Sequence, residues 1–122
     1  NITAVSQRGR GTAELITLNA QFQVTTRQEL DRYIGGPFIG RFGDHTLVAG
    51  RNIVDGVSKM VICTLVAGKL ENLCELPAGG DCSYPSIIQL CPGCILVSYY
   101  SSHEKDENGK PITAIYLAEL EF

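Results

Sequence analysis

The chain repeats itself at an offset of 48 residues, and no other feature limits its possible folds as strongly. Pro37-Phe38-Ile39-Gly40-Arg41-Phe42 lies over Pro85-Ser86-Ile87-Ile88-Gln89-Leu90. Each run leads into a turn, Gly43-Asp44-His45 in one copy and Cys91-Pro92-Gly93 in the other. Each turn leads into an apolar run, Leu47-Val48-Ala49-Gly50 or Ile95-Leu96-Val97-Ser98. The next run, Lys59 to Leu65, parallels Thr113 to Ala118, and an insertion from Glu104 to Pro111 lengthens the second copy. At the N-terminus, Ala13 to Leu18 sits 48 residues before Val61 to Val66.

The runs are short, rich in Val, Ile, Leu, Tyr and Thr, and bounded by turn residues, which is the pattern of strands. One repeat holds up to four antiparallel strands, expected at 35–42, 46–51, 58–66 and 69–76 in the middle copy. The following copy supplies three, at 84–90, 94–100 and 112–120, and the N-terminal copy supplies 3–8, 12–18 and 21–27. The one helical candidate, Thr26 to Tyr33, is shorter than an isolated helix needs, and a strand fits the same residues. A four-stranded antiparallel unit recurring every 45–50 residues is the signature of a β-propeller blade. The expectation is an all-β chain of about two and a half blades in one domain: a partial blade at 1–34, a full one at 35–79 and a partial one at 80–122. Propellers close with about four to eight blades, so a ring requires either oligomerisation or further chain. Three copies contributing two blades each would make six, which favours a homotrimer. The alternative is a small two-sheet β-sandwich built from the same strands.

Composition narrows the function classes. Apolar residues make up 44% and charged residues 19%, too apolar a balance for disorder. Ten basic against thirteen acidic residues, and a pI near 5.3, point away from nucleic acid. No apolar run reaches the length of a membrane helix, and Asn1-Ile2-Thr3 opens without a signal-peptide pattern, although it forms a glycosylation sequon. The five cysteines, Cys63, Cys74, Cys82, Cys91 and Cys94, cannot all pair within one chain. They lean toward a reducing, cytoplasmic compartment, with the location otherwise open. Cys91-Pro92-Gly93-Cys94 brackets a tight turn, so its thiols could close a strained disulfide or supply half of a zinc site. A metal or redox protein built on Cys91 and Cys94 is therefore one reading; the others call for no cofactor.

In a blade the first strand starts where the second ends. One face of the ring, at its central channel, therefore collects Gly35-Gly36, Arg51-Asn52, Asp81, Tyr84, Tyr100, His103 and Glu104, joined by Arg8 and Arg10 from the N-terminal copy. Arginines among phenolic hydroxyls suit a carboxylate or a sugar. Each residue also has a plainer use. Arg51 can pair with Asp55 on the surface, Tyr84 can pack along its strand, and Asp81 can cap the Gly79-Gly80 turn. His103 and Glu104 can belong to a solvated charged loop with Lys105, Asp106 and Glu107.

The segment Gly79-Gly80-Asp81-Cys82-Ser83-Tyr84-Pro85-Ser86-Ile87-Ile88-Gln89-Leu90 resembles a blade of the sialidase superfamily of six-bladed propellers, as does Ile95-Leu96-Val97-Ser98-Tyr99-Tyr100-Ser101-Ser102-His103-Glu104. Gly50-Arg51-Asn52 resembles the arginine that ends a second strand there. The resemblance covers roughly 35–122. It implies a glycan-binding or glycan-processing propeller, with Tyr84 in the place of the nucleophilic tyrosine and Arg51 in the place of one carboxylate-binding arginine. The chain departs from the family in having no Trp and no Ser-x-Asp-x-Gly-x-Thr-Trp box. It also offers no full arginine triad and no carboxylate that matches the family's acid or the tyrosine's partner. A binding or scaffold module is therefore expected first, and a sialidase-type hydrolase with a Tyr84 nucleophile second.

Overall fold

The computed structural model describes residues 2–122, so Asn1, the first residue of the sequon, lies outside the described residues. Among these residues ten strands, and no helix, build three antiparallel sheets. The first holds β1 (Ile2–Ser6), β2 (Glu14–Leu18) and β3 (Val24–Glu29). The second holds β4 (Gly35–Phe42), β5 (His45–Val54), β6 (Val57–Val66) and β7 (Lys69–Leu76). The third holds β8 (Ser83–Cys91), β9 (Cys94–Lys105) and β10 (Pro111–Glu121). Within each sheet the paired strands are consecutive in sequence, and among the described residues no sheet closes on itself.

The expected strands are all present, 35–42 and 69–76 with the expected ends and the others with shifted ones. In the first sheet, the Asn19 side chain accepts hydrogen bonds from the Gln21 and Gln23 amides at 2.9 and 3.0 Å, and this turn delays β3 to Val24. The helical option over Thr26 to Tyr33 is not taken. β3 runs to Glu29 in register with β2, because its threonines suit a ladder better than an isolated helical turn. The insertion at Glu104 to Pro111 becomes longer strands joined by a turn over 106–110. There the Asp106 carboxylate accepts from the Asn108 and Lys110 amides at 2.8 and 2.9 Å.

The sheets stack face to face in chain order. Between the first and second lie Ala13, Leu30, Ile34, Val48, Val61, Cys63 and Leu70, with Val5 and Leu15 packed against them. Between the second and third lie Leu47, Ala49, Met60, Ile62, Ile87, Ile95, Val97 and Tyr99. β5 and β6 are therefore buried on both faces, and their central residues read as unbroken apolar runs. The approach is closest along one edge of the stack, where β4 lies beside β8 and β1 beside β4. Arg32 fastens the β3–β4 connection to the outer strand β7 by donating to Asn72 and, at 3.3 Å, to the Leu70 carbonyl. Tyr99 does the same for the β7–β8 connection, donating to the Pro77 carbonyl at 2.7 Å.

Candidate functional site

One end of the stack opens into a cleft of about 620 Å³ lined by the second sheet and by the connections β1–β2, β3–β4 and β7–β8, and Arg51 stands in it. The guanidinium lies at the end of the pairing between β4 and β5, opposite Gly35. Its Nε and Nη2 donate to the Tyr33 hydroxyl at 3.2 and 2.6 Å, and its Nη1 donates to the Cys82 carbonyl at 3.0 Å. The cation also sits 5.8 Å from the centre of the Tyr33 ring. Gly35 makes this packing possible, since a Cβ there would stand 2.7 Å from Nη2 of Arg51 and collide with the Tyr33 hydroxyl. Burial pulls the Arg51 pKa down, but its hydrogen bond to Tyr33 and the nearby phenols and Cys82 thiol together raise it above the usual value. A guanidinium has five N–H groups, so three are engaged and the remainder are free to donate. Among the described residues, no acidic side chain forms an ion pair with Arg51.

The other lining residues are Gln7, Gly9, Arg10, Ile53, Gly56, Ser58, Gly80 and Asp81. Gln7 holds the neighbouring backbone, its Oε1 accepting from the Gly36 amide at 2.8 Å. Asp81 accepts from the Tyr100 hydroxyl at 2.8 Å. Burial first, then this bond and the Asp81 charge, raise the Tyr100 pKa, so the phenol stays neutral. The Tyr84 ring lies 6.0 Å from the Tyr100 ring and is 71% exposed. Its backbone adopts φ 51°, a left-handed conformation that is unusual for a tyrosine. It sits in a bulge, where the ladder jumps from Ser83 to Ser86. The equivalent bulge in β4 carries Gly36 at φ 55°, one 48-residue repeat earlier.

Of the residues expected here, Arg51, Arg10 and Asp81 line the cleft, Tyr100 reaches it through Asp81, and Tyr84 stands beside Tyr100. Asn52 turns its side chain onto its own strand, accepting from the Ile53 amide at 3.0 Å. His103 is directed elsewhere: its Nδ1 is 2.8 Å from the Ser101 hydroxyl and its ring packs 4.5 Å from that of Tyr116. Glu104 accepts from the Tyr116 hydroxyl at 2.7 Å. Arg8 is taken up within the first sheet, donating to Thr12 and pairing with Glu29 at 3.5 Å, so Arg10 is the arginine that sheet presents to the cleft. Cys91 and Cys94 are paired residues across the hairpin, with Cys94 buried and Cys91 exposed. The Cys94 thiol is pushed up to about 11 by burial and by its bonds to Glu119 and Cys91, so at neutral pH it is a protonated thiol. No cluster of three or more His, Cys, Asp or Glu side chains is placed to hold a metal among the described residues.

Tyr33 and Gln7 were not anticipated. Tyr33 had a signal, because it precedes Asp81 by 48 residues: Arg51 bonds Tyr33 in one repeat as Tyr100 bonds Asp81 in the next. Gln7 had none, since its role depends on how the first sheet packs against β4. Comparisons with protein-family models, with curated proteins and with solved structures give no match for this chain.

Proposed function

We propose that the chain is a sialidase-like β-propeller module that binds a small carboxylate, such as an acidic sugar, in the cleft around Arg51. The observation that carries this reading is Arg51 itself. It is held rigidly by Tyr33 and the Cys82 carbonyl, has no acidic partner among the described residues, and faces the cleft beside Arg10. A positioned guanidinium with donors to spare matches the two oxygens of a carboxylate. Asp81, Ser58 and Gln7 add acceptors and donors of the kind that sugar hydroxyls use. The propeller reading is supported by stacked antiparallel sheets that come closest along one edge and recur at a fixed sequence interval.

The test is calorimetric titration with N-acetylneuraminic acid and, separately, with its methyl ester. The acid is expected to bind and the ester to bind at least about tenfold more weakly, the loss that follows from one charge-assisted hydrogen bond. Arg51→Ala is expected to remove the preference for the acid. Equal binding of acid and ester, or binding untouched by Arg51→Ala, would overturn the reading.

A hydrolase is the second reading, favoured by the left-handed backbone that holds the exposed Tyr84 ring beside Tyr100. Among the described residues no carboxylate hydrogen bonds to Tyr84, and a nucleophilic phenol needs such a base. Release of the fluorophore from an aryl sialoside, abolished in Tyr84→Phe, is the result this reading requires.

A further inference from the structure

We infer that the free face of the third sheet is an interface for a second copy of this chain, whose first sheet stacks on it and completes a ring of six sheets from two chains. This deepens the propeller reading above and rests on it.

The two ladders correspond residue by residue. In the second sheet Phe38, Ala49 and Ile62 lie abreast; in the third, Ser86, Ser98 and Leu117 do. Gly40 and Leu47 correspond to Ile88 and Leu96, and Arg51 and Met60 to Tyr100 and Ile115. In the second sheet this face looks toward the third, and Leu47, Ala49, Met60 and Ile62 are all 0% exposed. In the third sheet none of the described residues covers the same face, and Ile88, Ile115 and Leu117 are 57, 73 and 68% exposed. Single exposed apolar residues are ordinary, but these adjoin one another, with Leu90 beyond Ile88 and Leu96 between the strands.

At the other end of the stack the first sheet has an outer face of its own, where Ile2 is exposed, Ala4, Ile16 and Leu18 are half-buried, and Arg27 pairs with Glu14. Val5 and Leu15 pack toward the second sheet. Alternation along the strands therefore turns Ala4, Ile16, Ile2 and Leu18 to the opposite side, where Ala4 pairs with Ile16 and Ile2 with Leu18. The two free faces are thus of different kinds. One is the face on which a following sheet packs within this chain, and the other is the face that a preceding sheet covers. Laying the third sheet of one copy on the first sheet of another repeats the packing already present between the second and third sheets. That contact is heterologous, so it either closes into a ring or propagates. One chain has three sheets, and propellers close with about four to eight. Two copies fall inside that range and three copies exceed it, so the sheet count replaces the trimer expected from two blades per chain with a pair.

The test is light scattering coupled to size exclusion under reducing conditions, across a range of concentrations. Wild type is expected at twice the 13.2 kDa chain mass. Leu117→Arg, on the third sheet, and Ile16→Arg, on the first, are each expected at one chain mass while keeping the wild-type β circular dichroism. Mixing the two variants leaves one unaltered interface per pair and is expected to restore the doubled mass. Ile2→Arg replaces Ile16→Arg if the latter unfolds. A wild-type chain that stays at one mass, or that forms an open series of larger species, overturns the proposal. So does a pair that survives Ile16→Arg and Ile2→Arg, since that pair would join third sheet to third sheet. A single-mass chain that still prefers N-acetylneuraminic acid to its ester would remove this inference and leave the cleft reading standing.

Discussion

The second and third sheets share one ladder but differ in how many neighbours they have. β5 and β6 lie between two sheets, and their midsections are apolar on both faces. β9 keeps the buried alternation on one side, with Ile95, Val97 and Tyr99, while its other side carries Leu96, Ser98 and Tyr100. Ser98 stands where the second sheet has Ala49, and Tyr100 where it has Arg51. Ser98, with Ser86 in the place of Phe38, makes the third sheet's free face more polar at its centre, yet Ile115 and Leu117 stay in the places of Met60 and Ile62. The same backbone thus supports a sealed core layer in one repeat and an open surface in the next, and neighbouring sheets decide which it becomes.

The sharpest way to break this comparison is to truncate the matched pair Ile62 and Leu117. Ile62→Ala removes a fully buried side chain and is expected to cost about 2–5 kcal/mol in urea unfolding. Leu117→Ala removes one that is 68% exposed, and at dilutions where the chain is a monomer it is expected to cost under about 0.5 kcal/mol. Equal losses at the two positions would mean that the third sheet's free face is covered in the monomer.

A smaller contrast lies in the paired bulges. Gly36 has φ 55°, and a Cβ there would collide with the Ser83 hydroxyl and stand 3.0 Å from the Tyr84 ring. Gly36→Ala is therefore expected to cost about 1–3 kcal/mol. Tyr84 holds the same conformation with a full side chain in an open position. Tyr84→Gly relieves the backbone, and its stability in urea is expected to stay level or rise by up to about 1 kcal/mol. A loss comparable to that of Gly36→Ala would show that the ring's packing on Tyr100 anchors the start of β8.

Much of this architecture was legible in the sequence, because the signals were local. Turn residues and β-branched runs located the strands, and the 48-residue offset located the sheets. The strand ends in the first sheet were not legible, since the Asn19 side chain sets the turn before β3 through bonds that no periodicity records. The cleft was half legible. Arg51 and Asp81 followed from the rule that a first strand starts where a second ends, and both line it. Arg8 and His103 satisfied the same rule, but nearer partners, Glu29 for one and Ser101 for the other, turn them aside. Placement along a strand is written in the sequence, whereas the choice between a cleft and a neighbouring polar group is made only when the sheets pack.

The mildest contrast concerns pH. Tyr116 lies on the same strand of the repeat as Val61, but in the third sheet the position holds a phenol bonded to Glu104 rather than an aliphatic core residue. That bond, followed by burial, pushes the Tyr116 pKa up to about 12 from an ordinary 10.0. A raised phenol pKa means that the folded state holds its proton more tightly than the unfolded chain does. Its contribution to stability is complete below pH 10.0 and is lost as the pH climbs to about 12. Stability measured by urea unfolding should therefore fall across that interval, with the slope shallower in Tyr116→Phe, which has no proton to lose. Val61 carries no titrating group, so Val61→Ala should leave the slope unaltered. An identical slope in wild type and Tyr116→Phe would place the alkaline sensitivity on the other phenols, Tyr99 and Tyr100, whose pKa values burial also raises.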